Sequence, residues 1–313
     1  AGRVGWADAA TIIPWQHYMA YGDKSILEQQ WDSMKAWVDY VISQSPSYLW
    51  NTGWHYGDWL FYSVNNDNAG NSAVTYTPLV QQCFFANSAT IMSKAAEVLG
   101  KEKDAAYYAD VARKVREAFC QNYLTPAGML VSSTQTAYVL ALNFDMLPEN
   151  MRAKAAAHLA ANVEKYGHIT TGFLGTPYIC HVLTKFGYND LAYKLLLREQ
   201  YPGWLYPVTM GATTIWERWN SMMPDRTIPD NGMNSFNHYS YGAIGDWLYR
   251  DAVGLHETSA GFKTMAIKPH PGADFTQMRA EQMTPYGRAA AEWRKQGEEF
   301  TLDVVIPVNT TAQ

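Results

Sequence analysis

The sequence is short of several things, and each shortage removes a class of function. Its three cysteines, Cys83, Cys120 and Cys180, are odd in number and widely spaced, without the paired spacing that a zinc site or a redox pair requires. They read as buried thiols, Cys83 and Cys120 within helical patterns, and they leave the compartment undetermined. Charged residues make up only 17% of the chain, the net charge is -5 and there is no basic block. Nothing therefore offers the phosphate-neutralising surface of a nucleic-acid-binding protein. No apolar run approaches the length of a membrane span, so no membrane partner is expected. The opening Ala1-Gly2-Arg3-Val4-Gly5-Trp6 has neither region of a signal peptide and reads as the middle of a motif, as a piece of a longer protein would. No Cys/His/carboxylate group has metal-ligand spacing, no glycine-rich phosphate loop follows a strand, and no Gly-x-Ser-x-Gly elbow occurs, so neither metal nor cofactor is expected.

What the chain has in excess is aromatic rings: 12 Trp and 21 Tyr, within an aromatic content of 14%. A ring with a flat apolar face and a polar edge suits a sugar, whose C–H faces are apolar and whose rim carries hydroxyls. A Trp-rich helical core is the other reading that composition allows. Ala9 to Tyr21 reads as a short helix broken by Pro14, and Asp23 caps a longer one from Lys24 to Ser43 with Leu27, Trp31, Met34, Val38, Val41 and Ile42 at helical spacing. Further helices are expected over 75–99, 103–122, 134–144, 151–166 (capped by Asn150), 176–186, 190–200 and 239–249. Antiparallel pairs joined by alternating short and long loops read as helical hairpins stacked side by side, able to close into a ring with the long loops at one end.

Residues 45–74 are loop-like yet carry Trp50, Trp54, His55, Asp58, Trp59 and Tyr62, an aromatic load typical of a pocket wall. Beyond Gly254 the period changes to two, and strands are expected over 262–269, 275–283, 287–293 and 300–306. These four begin a β-sandwich, which needs roughly seven. Gly57-Asp58-Trp59-Leu60 recurs as Gly245-Asp246-Trp247-Leu248, a trace of hairpin repetition.

The stretch Gly211 to Asn220 sets Glu217 and Arg218 between Trp216 and Trp219, an order that makes no amphipathic stripe on helix or strand. Either Arg218 neutralises Glu217 and the indoles pack a core, or this is a site. Inverting glycoside hydrolysis needs one acid and one carboxylate base, roughly 6.5–9.5 Å apart. The loop carboxylates to weigh are Asp8, Asp58, Asp67, Glu217, Asp225 and Asp230, and only Asp8, Asp58 and Glu217 lie beside a Trp or one residue from it. For Asp58 the residues themselves favour a hydrogen bond to loop backbone or a helix cap, since Asp favours such positions. His238 precedes a helix whose N-terminus disfavours an imidazolium, so a neutral ring bonding a sugar hydroxyl competes with a structural histidine.

Gly211 through Asn220, Asn237-His238-Tyr239 and Tyr241-Gly242-Ala243-Ile244-Gly245-Asp246-Trp247 resemble the bacterial α-L-rhamnosidases of glycoside hydrolase family 78. So do Gly5-Trp6-Ala7-Asp8-Ala9, Gly57-Asp58-Trp59-Leu60, Thr134-Gln135-Thr136-Ala137-Tyr138, Thr171-Gly172-Phe173-Leu174-Gly175-Thr176-Pro177-Tyr178 and Gly203-Trp204-Leu205-Tyr206. The resemblance implies a mainly α chain: an (α/α)6 catalytic barrel over 1–254, its first helices outside this sequence, then a truncated antiparallel β-sandwich segment over 255–313. It implies inverting hydrolysis of terminal α-L-rhamnosides, with Glu217 as general base and a rhamnose-containing glycoside or polysaccharide as partner. His238, Trp6, Asp8 and Trp59 would line the rhamnose pocket, Asp58, Trp216 and Arg218 completing the substrate-binding candidates, and Arg218 orients rather than reacts because a guanidinium stays protonated. A periplasmic or extracellular place is favoured over a cytoplasmic one.

The resemblance departs at the start. Many members carry Arg-Asp-Glu-Arg ahead of the Gly-Trp, with the Glu as general acid; here Gly2 falls where that Glu stands, and Gly5-Trp6-Ala7-Asp8 is one residue shorter than the family's Gly-Trp-Thr-Gly-Asp. Asp8 is thus a candidate acid or sugar-hydroxyl ligand. Two other functions stand beside the hydrolase: a rhamnose-binding chain without turnover, and a sugar epimerase, which wants two facing histidines where only His238 is well placed.

Overall fold

The computed structural model describes residues 2–62, 74–229 and 233–313. Asp67 and Asp230, two of the loop carboxylates above, lie outside them. The chain divides into two compact units, one of Ala1–His55, Gln81–Phe119 and Asp246–Gln313, the other of Tyr56–Val80 and Cys120–Gly245.

In the first unit α1 (Ala9–Tyr21) packs on α2 (Ser25–Ser43). Helix α1 is continuous where a break at Pro14 was expected: the proline is buried within it, and the helix ends instead at Gly22, which turns left-handed. The Asp23 carboxylate accepts from the Ser25 N–H at 2.9 Å, opening α2 as its sequence predicts. Long α3 (Thr77–Val98) and α4 (Glu102–Tyr123) follow. In the second unit α5 (Gln135–Asn143) packs on α6 (Glu149–Tyr166) and α7 (Thr176–Lys185), and α7 on α8 (Asn189–Leu196), giving the expected hairpins. Thr134 caps α5, its Oγ1 accepting from the Ala137 N–H at 3.2 Å. A short α9 (Leu205–Thr209) contains Pro207, which hid it from the sequence pattern. The helix expected over 239–249 is wound three ways, as a 3-10 turn at Ser240–Ala243, α10 at Ile244–Trp247 and a π turn at Leu248–Val253.

The tail of the first unit holds two three-stranded sheets. Strands β3 (Gln277–Thr284), β4 (Gly287–Gln296) and β5 (Glu299–Val305) form an antiparallel meander whose β3–β4 register closes at Thr284 opposite Gly287. In the other sheet β2 (Thr264–Ile267) pairs antiparallel with β1 (Leu255–Glu257) and parallel with β6 (Thr311–Ala312). Among the described residues six strands therefore stand where four were expected, because β1 and β6 are too short to show alternation. Leu255, Phe262, Met265, Ala280, Ala289 and Ala291 form one buried core cluster from residues of both sheets. Trp293 has no exposed surface, and its indole N–H donates to the Ala252 carbonyl at 2.9 Å. Trp293→Phe should cost about 2 kcal/mol in urea unfolding, from lost ring volume and an unmade buried hydrogen bond.

The tetrapeptide echo is one of letters only. Gly57 and Leu60 take left-handed φ values of 66° and 60°, so Gly57-Asp58-Trp59-Leu60 is a turn, whereas Asp246 and Trp247 lie in α10. Cys83 and Cys180 are buried and Cys120 half-buried. Among the described residues no helix is long and apolar enough to cross a membrane.

Candidate functional site

The stretch from Gly211 to Asn220 is irregular chain, turns and bends without strand, that hydrogen-bonds to residues 235–238. The Glu217 N–H donates to the Ser235 carbonyl and the His238 N–H to the Ile215 carbonyl, both at 2.9 Å, and the Thr214 hydroxyl donates to the Phe236 carbonyl. Glu217 and His238 thereby stand on paired neighbouring segments, 21 positions apart in sequence. The two reach one place through backbone pairing that helical or strand periodicity does not announce.

The neutralised-pair reading of Glu217 and Arg218 does not survive. The buried Arg218 donates from Nε to the Met233 carbonyl at 2.8 Å, and its backbone N–H donates to Ser221 Oγ at 3.1 Å. Among the described residues no ion pair joins Arg218 to Glu217, and the Glu217 carboxylate, in a residue only 8% exposed, takes no hydrogen bond. Its oxygens are not among the buried unpartnered atoms, so water or a ligand can reach and serve them.

Trp216 and Trp219 are built into the unit, as is Tyr241. Trp216 sets its edge on Phe236 at 5.3 Å between centroids, and Trp219 stacks on Tyr241 at 3.8 Å with 12° between planes. The Trp204 indole N–H donates to the Tyr241 carbonyl at 2.8 Å. Trp204, Ile215, Trp216, Arg218, Trp219 and Tyr241 help to line a cavity of about 260 Å³. Neither Glu217 nor His238 is among its walls.

Asp58 is turned inward, a correction to its expected place among the substrate contacts. Its Oδ2 accepts from the Thr136 hydroxyl and, at 2.7 Å, from the Gly172 N–H; its Oδ1 accepts from the N–H groups of Leu174 and Gly175 at 2.9 and 3.3 Å. Four protein donors fill a carboxylate that is 3% exposed, so the backbone-binding alternative prevails. Burial pushes its pKa up against the pull of those donors. Its neighbour Trp59 stays half-buried with an edge contact to Tyr56 at 5.6 Å. His238 is also half-buried; its Nδ1 accepts from the Ser240 N–H at 3.3 Å, which leaves Nε2 as the donor of the neutral ring. Asp225 caps its own turn, accepting from the Thr227 N–H at 3.0 Å.

In the first unit Trp6 is 40% exposed and Asp8 fully buried. Asp8 Oδ2 accepts from the Gly5 N–H at 2.8 Å, and Oδ1 from Ser88 Oγ at 2.7 Å and Trp37 Nε1 at 3.0 Å. The side chain so fixes the turn that carries Trp6. Burial, the largest influence, raises the Asp8 pKa above its ordinary 3.8, against the lowering effect of Ser88, Trp37 and Gly5. A carboxyl raised on folding lends stability below its unfolded pKa and loses that contribution as pH rises through the folded one. The stability of the wild type relative to Asp8→Asn should therefore fall steadily from acid to neutral pH, as read by urea unfolding across that range. Gly2 has no room for a side chain: a Cβ there would lie 2.4 Å from the Ala7 Cβ and 2.7 Å from the Trp37 ring.

Helical hairpins, a carboxylate that no described residue contacts and half-buried aromatics are the features of a carbohydrate-active helical domain, and comparison with known proteins gives the class. The bacterial alpha-L-rhamnosidase 6 hairpin glycosidase domain matches residues 1–252 and the bacterial alpha-L-rhamnosidase C-terminal domain residues 254–313. The chain belongs to the bacterial α-L-rhamnosidase family, glycoside hydrolase family 78, and its fold class is that family's (α/α)6 helical domain followed by an antiparallel sheet segment. It is 42% identical to an alpha-L-rhamnosidase of Formosa agariphila over 99% of this chain and 33% of that protein, and 39% identical to one of Streptomyces avermitilis over 100% and 29%. The crystal structure of the Streptomyces avermitilis enzyme complexed with L-rhamnose superposes with a TM-score of 0.92 at 38% identity, covering 99% of this chain and 29% of that one. The native Aspergillus terreus enzyme gives 0.93 at 34%, covering 98% and 36%. The chain thus spans about a third of the length of the curated relatives it matches.

Proposed function

We propose that this chain carries the glycosidase domain of an α-L-rhamnosidase and hydrolyses terminal α-L-rhamnosides with inversion, Glu217 acting as the general base on the attacking water. The observation that carries the reading is the Glu217 carboxylate itself, in a residue 8% exposed and without a partner among the described residues, on a segment paired with that of His238. Such a group is disposed to hold a water and take its proton. His238 would donate from Nε2 to a sugar hydroxyl, and the half-buried indole of Trp59 would meet the apolar face of rhamnose. Arg218, bonded to the Met233 carbonyl, and Trp216, edge-on to Phe236, brace the Glu217 segment, and Asp8 holds the Trp6 turn, since its oxygens are occupied. Proton NMR of the sugar released from para-nitrophenyl α-L-rhamnoside tests the mechanism. The β anomer should appear first, and the α anomer appearing first would overturn inversion.

One observation favours a second reading. Position 2, where relatives by resemblance carry the acid, is closed to any side chain. Rhamnose binding without turnover is the result that this would give, seen in calorimetry as heat of binding with no sugar released on long incubation.

A further inference from the structure

We propose that Asp58 is a positioning residue for the sugar site, acting through the 171–175 loop and the ring of Phe173 on the imidazole of His238. The inference rests on the reading of His238 as a sugar-binding residue. It begins from how completely one carboxylate organises one loop. Asp58 holds the N–H groups of Gly172, Leu174 and Gly175, while the N–H of the intervening Phe173 donates to the Trp59 carbonyl at 2.8 Å. Four successive N–H groups are thus spoken for by two adjacent residues. Behind them the Thr171 and Thr176 hydroxyls share a 2.8 Å hydrogen bond, and the Thr136 hydroxyl fixes the carboxylate from the α5 side.

The loop lies so close that Gly172 admits no Cβ, which would fall 2.2 Å from the Trp59 carbonyl oxygen and 2.8 Å from that of Asp58. With its backbone pinned, Phe173 retains only side-chain rotation, and its ring is held between two partners. It stacks on the His238 imidazole at 5.0 Å with 26° between planes and sets its edge against Tyr241 at 5.4 Å and 74°. The stack fixes the plane of the imidazole, and the bond from the Ser240 N–H to Nδ1 fixes its rotation within that plane. Together they determine where Nε2 points. The same turn presents Trp59, and its last residue, Leu60, is held left-handed at φ 60° with its carbonyl accepting from the Tyr241 hydroxyl at 3.3 Å. A strained non-glycine turn of this kind persists only where its surroundings over-determine it. Asp58 is the group common to both arms, one ending in Trp59 and the other in His238.

A carboxylate that merely stabilised the unit would leave the imidazole's environment unchanged when replaced, so the decisive readout is the imidazole. In isotope-labelled protein, with His238 assigned by His238→Gln, the ring protons of His238 should be shifted upfield by the stacked Phe173. In Asp58→Asn the amide NH2 would oppose N–H donors, the loop should move, and the His238 resonances should shift downfield. The kcat/KM for an aryl rhamnoside, or the rhamnose affinity, should fall tenfold to about a hundredfold, the usual penalty for a site held loosely. Phe173→Leu should do the same while Phe173→Tyr, which keeps the ring, restores both. If Asp58→Asn fails to fold, the two Phe173 variants carry the test. Unchanged His238 resonances in Asp58→Asn or Phe173→Leu would overturn the proposal, whatever happened to stability. A wild type that neither binds nor cleaves rhamnosides would sink the functional reading, while the resonances would still decide the Asp58–Phe173–His238 coupling.

Discussion

Glu217→Gln is expected to lower kcat on an aryl α-L-rhamnoside by about a thousandfold, within the range that general acid–base groups supply. The amide is isosteric and cannot accept the proton of an attacking water. Because the Glu217 side chain makes no hydrogen bond or ion pair to the described residues, the substitution breaks no internal contact. The fold and the rhamnose affinity should both persist, so the loss should fall on kcat with KM little changed. Steady-state kinetics with calorimetry for free rhamnose separates the two. Wild-type turnover in the variant would remove Glu217 from the mechanism, and loss of rhamnose binding would recast it as a ligand to the sugar.

The sequence is legible wherever a periodicity spans several turns. α2 is legible because six apolar residues recur at helical spacing, and β3 because exposure alternates along its eight residues. The short elements are illegible for the complementary reason: β1, β6 and α9 have between two and five residues, too few to complete a pattern. The site is harder still, since its geometry rests on loop backbone. Glu217 stands out in sequence because a carboxylate between indoles fits no stripe, but nothing in the letters tells that Arg218 turns away to the Met233 carbonyl. Asp58 misleads for the same reason. Beside Trp59 it has the look of a ligand, and only the approach of Gly172, Leu174 and Gly175, more than a hundred residues later, shows which groups occupy its oxygens. Phe173 went unremarked as a site residue, although the run Thr171-Gly172-Phe173-Leu174-Gly175, with two glycines around an aromatic, was the signal of a loop drawn close to other backbone.

Gly254→Ala should destabilise the chain by about 4 kcal/mol, enough to lower the melting temperature by roughly 10 °C. Gly254 ends the π turn at Leu248–Val253 with φ 86°, a left-handed conformation that costs an L side chain about 1 kcal/mol. The larger part of the effect comes from space. A Cβ there would lie 2.2 Å from the Lys268 carbonyl carbon, 2.3 Å from the Pro269 nitrogen and 2.4 Å from the Lys268 oxygen, all backbone atoms that no rotamer change can move. Relief would require pulling Lys268 away from Gly254, whose carbonyl accepts the Lys268 N–H at 2.8 Å, and so loosening the β1–β2 pair. Val253 and Leu255, on either side, belong to the core cluster of the sheets, so the displacement would reach buried apolar residues as well. Gly297 supplies the control: it too is left-handed, at φ 61°, but nothing lies within 4 Å of the Cβ it would carry. Gly297→Ala should cost only the conformational share, about 1 kcal/mol. Thermal unfolding of the two variants side by side checks the account, and equal shifts in both would show that close backbone packing at Gly254 contributes nothing.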